Sequence, residues 1–230
     1  MRIFLELPEI FYSNYSKVIE SVRGWTEAID GVFVPDLPLG KATLDLCAYY
    51  EELRDALQGA EIIPVQSVGH RSMAANKSRL QCLRLKGARR VLLVQGPQKC
   101  TKVSEILGYA VSRFMVGSVL SERTLESRIR AGVAFFVTQL FPDESYLSLA
   151  EGLGGRELYI SVAVSDRAED YLRLREMGFR VPPEILQGGD IREGLRSYIR
   201  RVEGIAGPAP GIYAVPLSRS ADIGAFFENL

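Results

Sequence analysis

The stretch EIIPVQSVGHRSMAANKSRLQCLRLKGARRVLLVQ (61–95) decides the fold. It opens on EIIPVQ (61–66) and closes on RVLLVQ (90–95), two short runs that are apolar at consecutive positions. Such a run suits a parallel strand covered on both faces. Between them, Ser72 to Leu85 has helical spacing, bringing Leu80, Leu83 and Leu85 near one another, and Gly87 stops the helix. Strand, helix and strand make one β-α-β unit.

The alternation continues in both directions. Further strand candidates are RIFLEL (2–7), GVFVP (31–35), FMVGSVL (114–120), AFFVTQL (134–140), ELYISVAV (157–164) and GIYAVPL (211–217). Helical patterns cover Ser16–Val22, Thr43–Leu57, Thr124–Ala131, Asp143–Leu153, Asp166–Met177, Asp190–Ile205 and Ala221–Leu230. A Pro- and Gly-rich stretch, FRVPPEILQGG (179–189), carries a short helical turn from Pro182. Eight strands alternating with helices at a repeat of under about thirty residues favour a closed (β/α)8 TIM barrel over an open doubly wound sheet. No GxGxxG follows any strand, so the dinucleotide fingerprint of the open sheet is missing. The expectation is one TIM-barrel domain over 1–230.

Composition agrees with one core and excludes several functions. Apolar residues make up 47% of the chain, and 28 basic residues balance 28 acidic ones. A neutral chain gives no electrostatic case for nucleic acid or an anionic membrane. No apolar run reaches the ~20 residues a membrane span needs, and MRIFLELPE has no leader pattern, so a cytoplasmic protein is expected. With one histidine, His70, no histidine-based metal site is expected. Cys47, Cys82 and Cys100 form no CxxC pair and read as core residues, with no disulfide framework indicated.

In a barrel, chemistry belongs to the C-terminal ends of the strands. There lie Glu6 and Pro8, Asp36, Gln66 and Ser67 with His70 and Arg71 beyond, Gln95, Ser118, Thr138 and Gln139, Ser161 and Ser165, and Ser218 and Arg219. Alternation puts Phe4 and Glu6 on one side of the first strand. If that side is the barrel interior, burial raises the carboxyl's pKa and makes Glu6 a proton donor near neutral pH; otherwise it is an exposed or salt-bridged glutamate. Gln139, among Phe135, Phe136, Val137 and Leu140, is a buried amide that needs partners, either the edge of a heterocycle or a loop backbone. His70 and Arg71 can meet a phosphate or the polar edge of a flavin, with a solvated loop the simpler reading for His70. Asp36 with Lys41 reads as loop chemistry, and Arg192, Arg196 and Arg200 as a solvated helix face.

Several segments, in order, resemble the methylenetetrahydrofolate reductase family. HRSMAANKSRLQCLRLKGARRVLLVQGP (70–97) is similar to the stretch in which Asp-Arg-Asn opens a helix and the next strand closes on Gly-Asp. AGVAFFVTQLFPDESYL (131–147) is similar to the family's Ala-Gly-Ala-Asp-Phe…Thr-Gln segment. FLELP (4–8), FMVGSVL (114–120), FRVPPEI (179–185) and APGIYAVPLSRS (209–220) resemble other family segments. The resemblance implies a TIM barrel that reduces a methylene-tetrahydropterin. Glu6 would be the catalytic acid, with Gln139, Gln95 and Thr138 on the pterin. Arg71, His70, Ser67 and Ser118 would hold a flavin, FAD or FMN, with NAD(P)H as electron donor. The departures are equally specific. Gly96-Pro97 stands for Gly-Asp, His70 and Ser72 flank Arg71, and SVLSER (118–123) replaces the usual segment after strand five. They leave open FMN, direct hydride delivery from a nicotinamide, a homo-oligomer or partner subunit, and a non-catalytic flavin- or pterin-binding barrel.

Overall fold

The structure is a computed structural model and describes residues 1–7, 29–36, 46–57, 59–187, 189–206, 211–217 and 226. Its strands are β1 (Ile3–Glu6), β2 (Gly31–Pro35), β3 (Glu61–Ser67), β4 (Arg90–Val94), β5 (Met115–Val119), β6 (Phe135–Val137), β7 (Glu157–Val164) and β8 (Gly211–Pro216). They close into a parallel barrel in chain order, β8 pairing with β1. The described helices are α1 (Leu46–Ala56), α2 (Met73–Leu85), α3 (Val103–Val111), α4 (Leu125–Arg130), α5 (Glu144–Leu147), α6 (Ala168–Glu176), α7 (Pro183–Gln187) and α8 (Ile191–Ala206). The expected helices at 16–22 and 221–230, apart from Phe226, lie outside the described residues, as do Pro8, Lys41, Ser218 and Arg219. The sequence reading missed α3, which is uniformly apolar at Val103, Ile106, Leu107 and Ala110 and carries few polar residues to mark a face.

Seven of the eight strands divide their buried apolar side chains between two cores, β5 giving only to the outer one. Residues such as Leu5, Val32, Val91 and Ile160 pack outward against helices. Phe4, Phe33, Ile63, Val65, Leu92, Phe135, Val137, Tyr159 and Tyr213 fill the barrel itself. The registers sort inward residues into layers fed by alternate strands. Phe4, Ile63, Gly117 and Tyr159 form one layer, and Phe33, Leu92, Val137 and Tyr213 the next. Glu6, Val65, Val119 and Ser161 come above, toward the C-terminal rim. Gly117 must be small, because the Phe135 ring fills the space a Cβ would take.

The opposite, N-terminal end is plugged by charge. Arg90, 4% exposed, reaches Glu157 at 2.6 Å and Glu61 at 3.3 Å. Arg2 meets Glu61 at 2.8 Å, and the Tyr159 hydroxyl donates to Glu157 at 2.7 Å. These ions occupy the N-terminal end of the barrel interior.

The cysteine reading holds for Cys47, buried in the outer core, and for Cys82, packed against it, and is corrected on their pairing and on Cys100. Cys47 on α1 and Cys82 on α2 form a disulfide, their Cα atoms 6.1 Å apart, and Cys100 is exposed rather than in the core. The two are 35 residues apart in sequence and meet because consecutive barrel helices pack side by side. A loop of that length restricts the unfolded chain by about 4 kcal/mol. The Cys82→Ser protein is therefore expected to unfold at a lower denaturant midpoint than the oxidised parent, and a reductant should bring the parent down to match. A parent midpoint indifferent to reductant would refute a stabilising bridge.

Candidate active site

Glu6 ends β1 with its side chain inside the barrel, one alternation above Phe4. Its carboxylate Oε2 accepts a hydrogen bond from the Tyr213 hydroxyl. Tyr213, 7% exposed, lies against Phe33 with ring centroids 4.4 Å apart. Burial pushes the Glu6 carboxyl above the usual carboxylate range, and the Tyr213 bond partly opposes that rise. Glu6 is thus an inward carboxylic acid at the C-terminal mouth, held by one phenol.

The turn after β3 is built from both sides. Asp36, 1% exposed, accepts from the Ser67 backbone N–H at 2.9 Å and from Arg71 Nη1 at 2.6 Å. Arg71 also donates to the Ser67 carbonyl at 3.0 Å. Asn76 of α2 binds the carbonyls of Val68 and Arg71, and Thr101 donates to the Arg71 carbonyl at 2.7 Å. The loop after β4 interlocks with this turn: Gly69 N–H donates to Gln95, and Cys100 N–H to Gly69. A Cβ on Gly69 would collide with the carbonyls of Gln98 and Gln95, so only glycine fits. Asp36 is therefore more than loop chemistry; it is the buried counter-ion of Arg71. His70 is no solvated side chain either, since it packs on Gly96 and its Nε2 is buried.

A flavin is the cofactor the resemblance implies. On the turn after β3, His70 Nε2 and Arg71 Nη2 are buried nitrogens without a hydrogen-bond partner among the described residues, as is Arg90 Nε at the opposite end of the barrel. Two such nitrogens on one rigid turn fit the acceptor atoms of a flavin edge or phosphate. The neighbouring loop offers less. Both amide hydrogens of Gln95 are taken by the carbonyls of Gln98 and Thr101, at 3.2 and 3.0 Å, and its oxygen accepts from Val103 N–H at 3.1 Å. Gln95 is thereby a staple of its own loop and cannot replace the carboxylate that Pro97 lacks.

The other expected residues separate. Thr138 accepts from the Ser161 N–H at 2.9 Å and donates to the Gln139 carbonyl at 2.8 Å, tying β6 to β7. Ser67 sits by Gly96 at the mouth. Ser118 alternates with inward Gly117 and so faces the helix layer.

Gln139 is exposed, which corrects the expectation of a buried amide. The cause is a bulge. Thr138 N–H bonds the Tyr159 carbonyl, but the next bond to β7, to the Ser161 carbonyl, comes from Phe141. A regular parallel ladder would use residue 140, so this strand holds one residue too many and turns Gln139 outward. Phe141 carries the strain at φ 50, in the left-handed region. Its buried ring is held 5.5 Å from that of Tyr198, whose hydroxyl donates to the Pro142 carbonyl at 2.9 Å. Gln139 and Val119 line a cleft of about 980 Å³ that extends over the β5 and β6 loops to Phe179 and Arg180. The cleft lies over the β5 and β6 side of the rim; among the described residues its lining includes neither Glu6 nor Tyr213, His70 or Arg71.

Tyr213, Asp36, Asn76 and Thr101 were not named as site residues from sequence, except Asp36 as a loop acid. Tyr213 alone had a legible signal: it is the polar ring in β8 at the same alternation as the interior residues. Among the described residues, no group of three or more histidine, cysteine, aspartate or glutamate side chains could hold a metal ion. No described helix is long and apolar enough to cross a membrane.

No family model matches the chain. No curated protein matches it either. Solved structures do. An uncharacterised protein from Clostridium thermocellum that binds two copies of 5-methyl-5,6,7,8-tetrahydrofolic acid is 16% identical, with a TM-score of 0.65, covering 98% of this chain and 92% of that one. Oxaloacetate acetylhydrolase, in complex with its product oxalate, is 11% identical with a TM-score of 0.53, covering 90% of this chain and 93% of that one. At these identities the likeness is one of fold.

Proposed function

We propose that the chain is a methylene-tetrahydropterin reductase of the methylenetetrahydrofolate reductase type, acting at the C-terminal mouth of the barrel. The observation that carries this reading is the inward, half-buried carboxyl of Glu6 at the C-terminal end of β1, bonded to Tyr213. A barrel that only binds a ligand has no need of an acid there. The structural likeness to a barrel that binds a methylated tetrahydrofolate supports the class of ligand.

In this reading Glu6 donates its proton to the nitrogen that leaves as the methylene bridge opens, producing the reactive iminium. Gln139 offers one donor and one acceptor to the edge of the pterin. Arg71 and His70 would hold a flavin, with Asp36 fixing the guanidinium and Asn76 and Thr101 fixing the turn. A reduced flavin, when bound, supplies the hydride; NAD(P)H is the electron source, either to the flavin or directly. The aromatic layers beneath Glu6 exclude water from the base of the site.

One observation favours a second reading, a non-catalytic pterin- or flavin-binding barrel. The position after Gly96 is proline, and Gln95 is spent on its own loop.

The test is a pair of measurements on the purified chain: titration with methyl-tetrahydrofolate, with and without added flavin, and turnover of the methylene form with NAD(P)H. Binding together with turnover supports the reductase; binding without turnover supports the second reading; binding of neither a reduced pterin nor flavin defeats both. Gln139→Ala is expected to weaken pterin binding about 3- to 10-fold, the net worth of one or two hydrogen bonds. An unchanged dissociation constant would remove Gln139 from the pterin site.

A further inference from the structure

We propose that Tyr213 is a positioning residue for Glu6: its hydroxyl occupies Oε2 and leaves Oε1 as the oxygen that carries and delivers the proton. This rests on the reading of Glu6 as the acid.

The geometry begins with the strands. β8 lies beside β1, and Phe4 pairs with Tyr213 in register. Tyr213 therefore belongs to the layer just below Glu6, and its hydroxyl reaches up to Oε2. The ring cannot swing away. It is buried and packed against Phe33, which in turn meets Phe4 at 5.5 Å and Tyr159 at 5.6 Å between centroids. A carboxyl with one oxygen accepting from a fixed phenol has one oxygen left for its own proton. Glu6 is thereby held in one rotamer with a defined donor atom.

The same bond sets acid strength. A phenol donating to a carboxylate favours the charged form, whereas burial favours the neutral one. Tyr213 thus keeps a desolvated acid strong enough to release its proton. Among the described residues, no other ionisable group contributes to the shift at Glu6. Its own layer supplies Val65, Val119 and Ser161. Asp36 and Arg71, on the turn after β3, pair with each other at 2.6 Å.

The test reads the carboxyl directly in the ligand-free protein. Glutamate is labelled with carbon-13 in the carboxyl, and the Glu6 resonance is identified by its loss in Glu6→Gln. In Tyr213→Phe the ring stays and the hydroxyl goes, so the Glu6 titration is expected to move upward by about one pH unit. Fluorotyrosine at position 213 keeps the shape and donates more strongly, so the titration should move downward. Tyr159→Phe, whose hydroxyl serves Glu157, should leave it unchanged. In turnover, the alkaline limb of the Tyr213→Phe pH profile should follow the titration, kcat should fall, and KM for the carrier should change little. A Glu6 titration unmoved by both Tyr213 variants, or moved as far by Tyr159→Phe, overturns the inference. Opposite shifts in a protein that shows no reductase activity would uphold Tyr213 as the partner of Glu6 and defeat the reductase reading instead.

Discussion

Glu6→Gln should bind a reduced pterin nearly as the parent does and lose turnover by about 100- to 10,000-fold, the usual worth of a positioned acid. Glutamine matches the protonated acid in shape, and its carbonyl still accepts from Tyr213, so the interior layers and the ligand's contacts survive. What disappears is a proton that can be released. The parent's activity should decline as pH rises through the Glu6 pKa, which burial holds above the ordinary carboxylate range. In the variant, residual activity should show no such limb. Stopped-flow measurement of methylene-pterin reduction across pH, beside equilibrium binding of the methyl product, separates the two effects. Turnover in Glu6→Gln at the parent's rate would end its role as acid.

Arg90→Met should cost about 3 kcal/mol of stability, lowering the melting temperature by roughly 6–12 °C. The buried guanidinium stands between Glu61 and Glu157 and lies 4.3 Å over the Phe135 ring. Without it, two carboxylates share Arg2 alone. The low end of the usual range applies because Glu61 and Glu157 are partly exposed and water screens them. The pH dependence has a definite sign. Burial alone would raise the Glu157 carboxyl, but bonds from Tyr159 and Arg90 and the charges of Arg90 and Arg2 hold it below the ordinary value. Its stabilisation is complete above the unfolded carboxylate pKa, about 4.3, and is lost as pH falls through the lower folded value. Parent and variant should therefore converge on acidification below pH ~4. Thermal melts between neutral and acidic pH test this; a gap that stays constant into acid would exclude the ion cluster as its source.

The eight strands were legible because each carries a local signal: consecutive apolar residues bounded by glycine or polar turns. β2 and β7 match their expected bounds to the residue, and the others differ mainly at their ends. β6 was expected to run to Leu140 and stops at Val137. The bulge that ends it is stabilised by Phe141 packing on Tyr171 and Tyr198, contacts from distant parts of the chain. Alternation along β1 placed Glu6 opposite Leu5, but could not say which side was the interior. The disulfide was hidden for the same reason: only the packing of α1 on α2 brings Cys47 to Cys82.

By itself the sequence determined the alternation of strands and helices, the closed parallel barrel, and the rim on which any chemistry must sit. These follow from periodicity and from the burial that parallel strands require, both properties of neighbouring residues. Only the tertiary structure decided that Glu6 meets Tyr213, that Arg71 is matched to Asp36, that Gln95 is consumed by its own loop, and that Gln139 turns out to a cleft. Each is a hydrogen bond or register shift between strands or loops brought together by closure. Such contacts depend on angles and distances that no local pattern of residue types encodes.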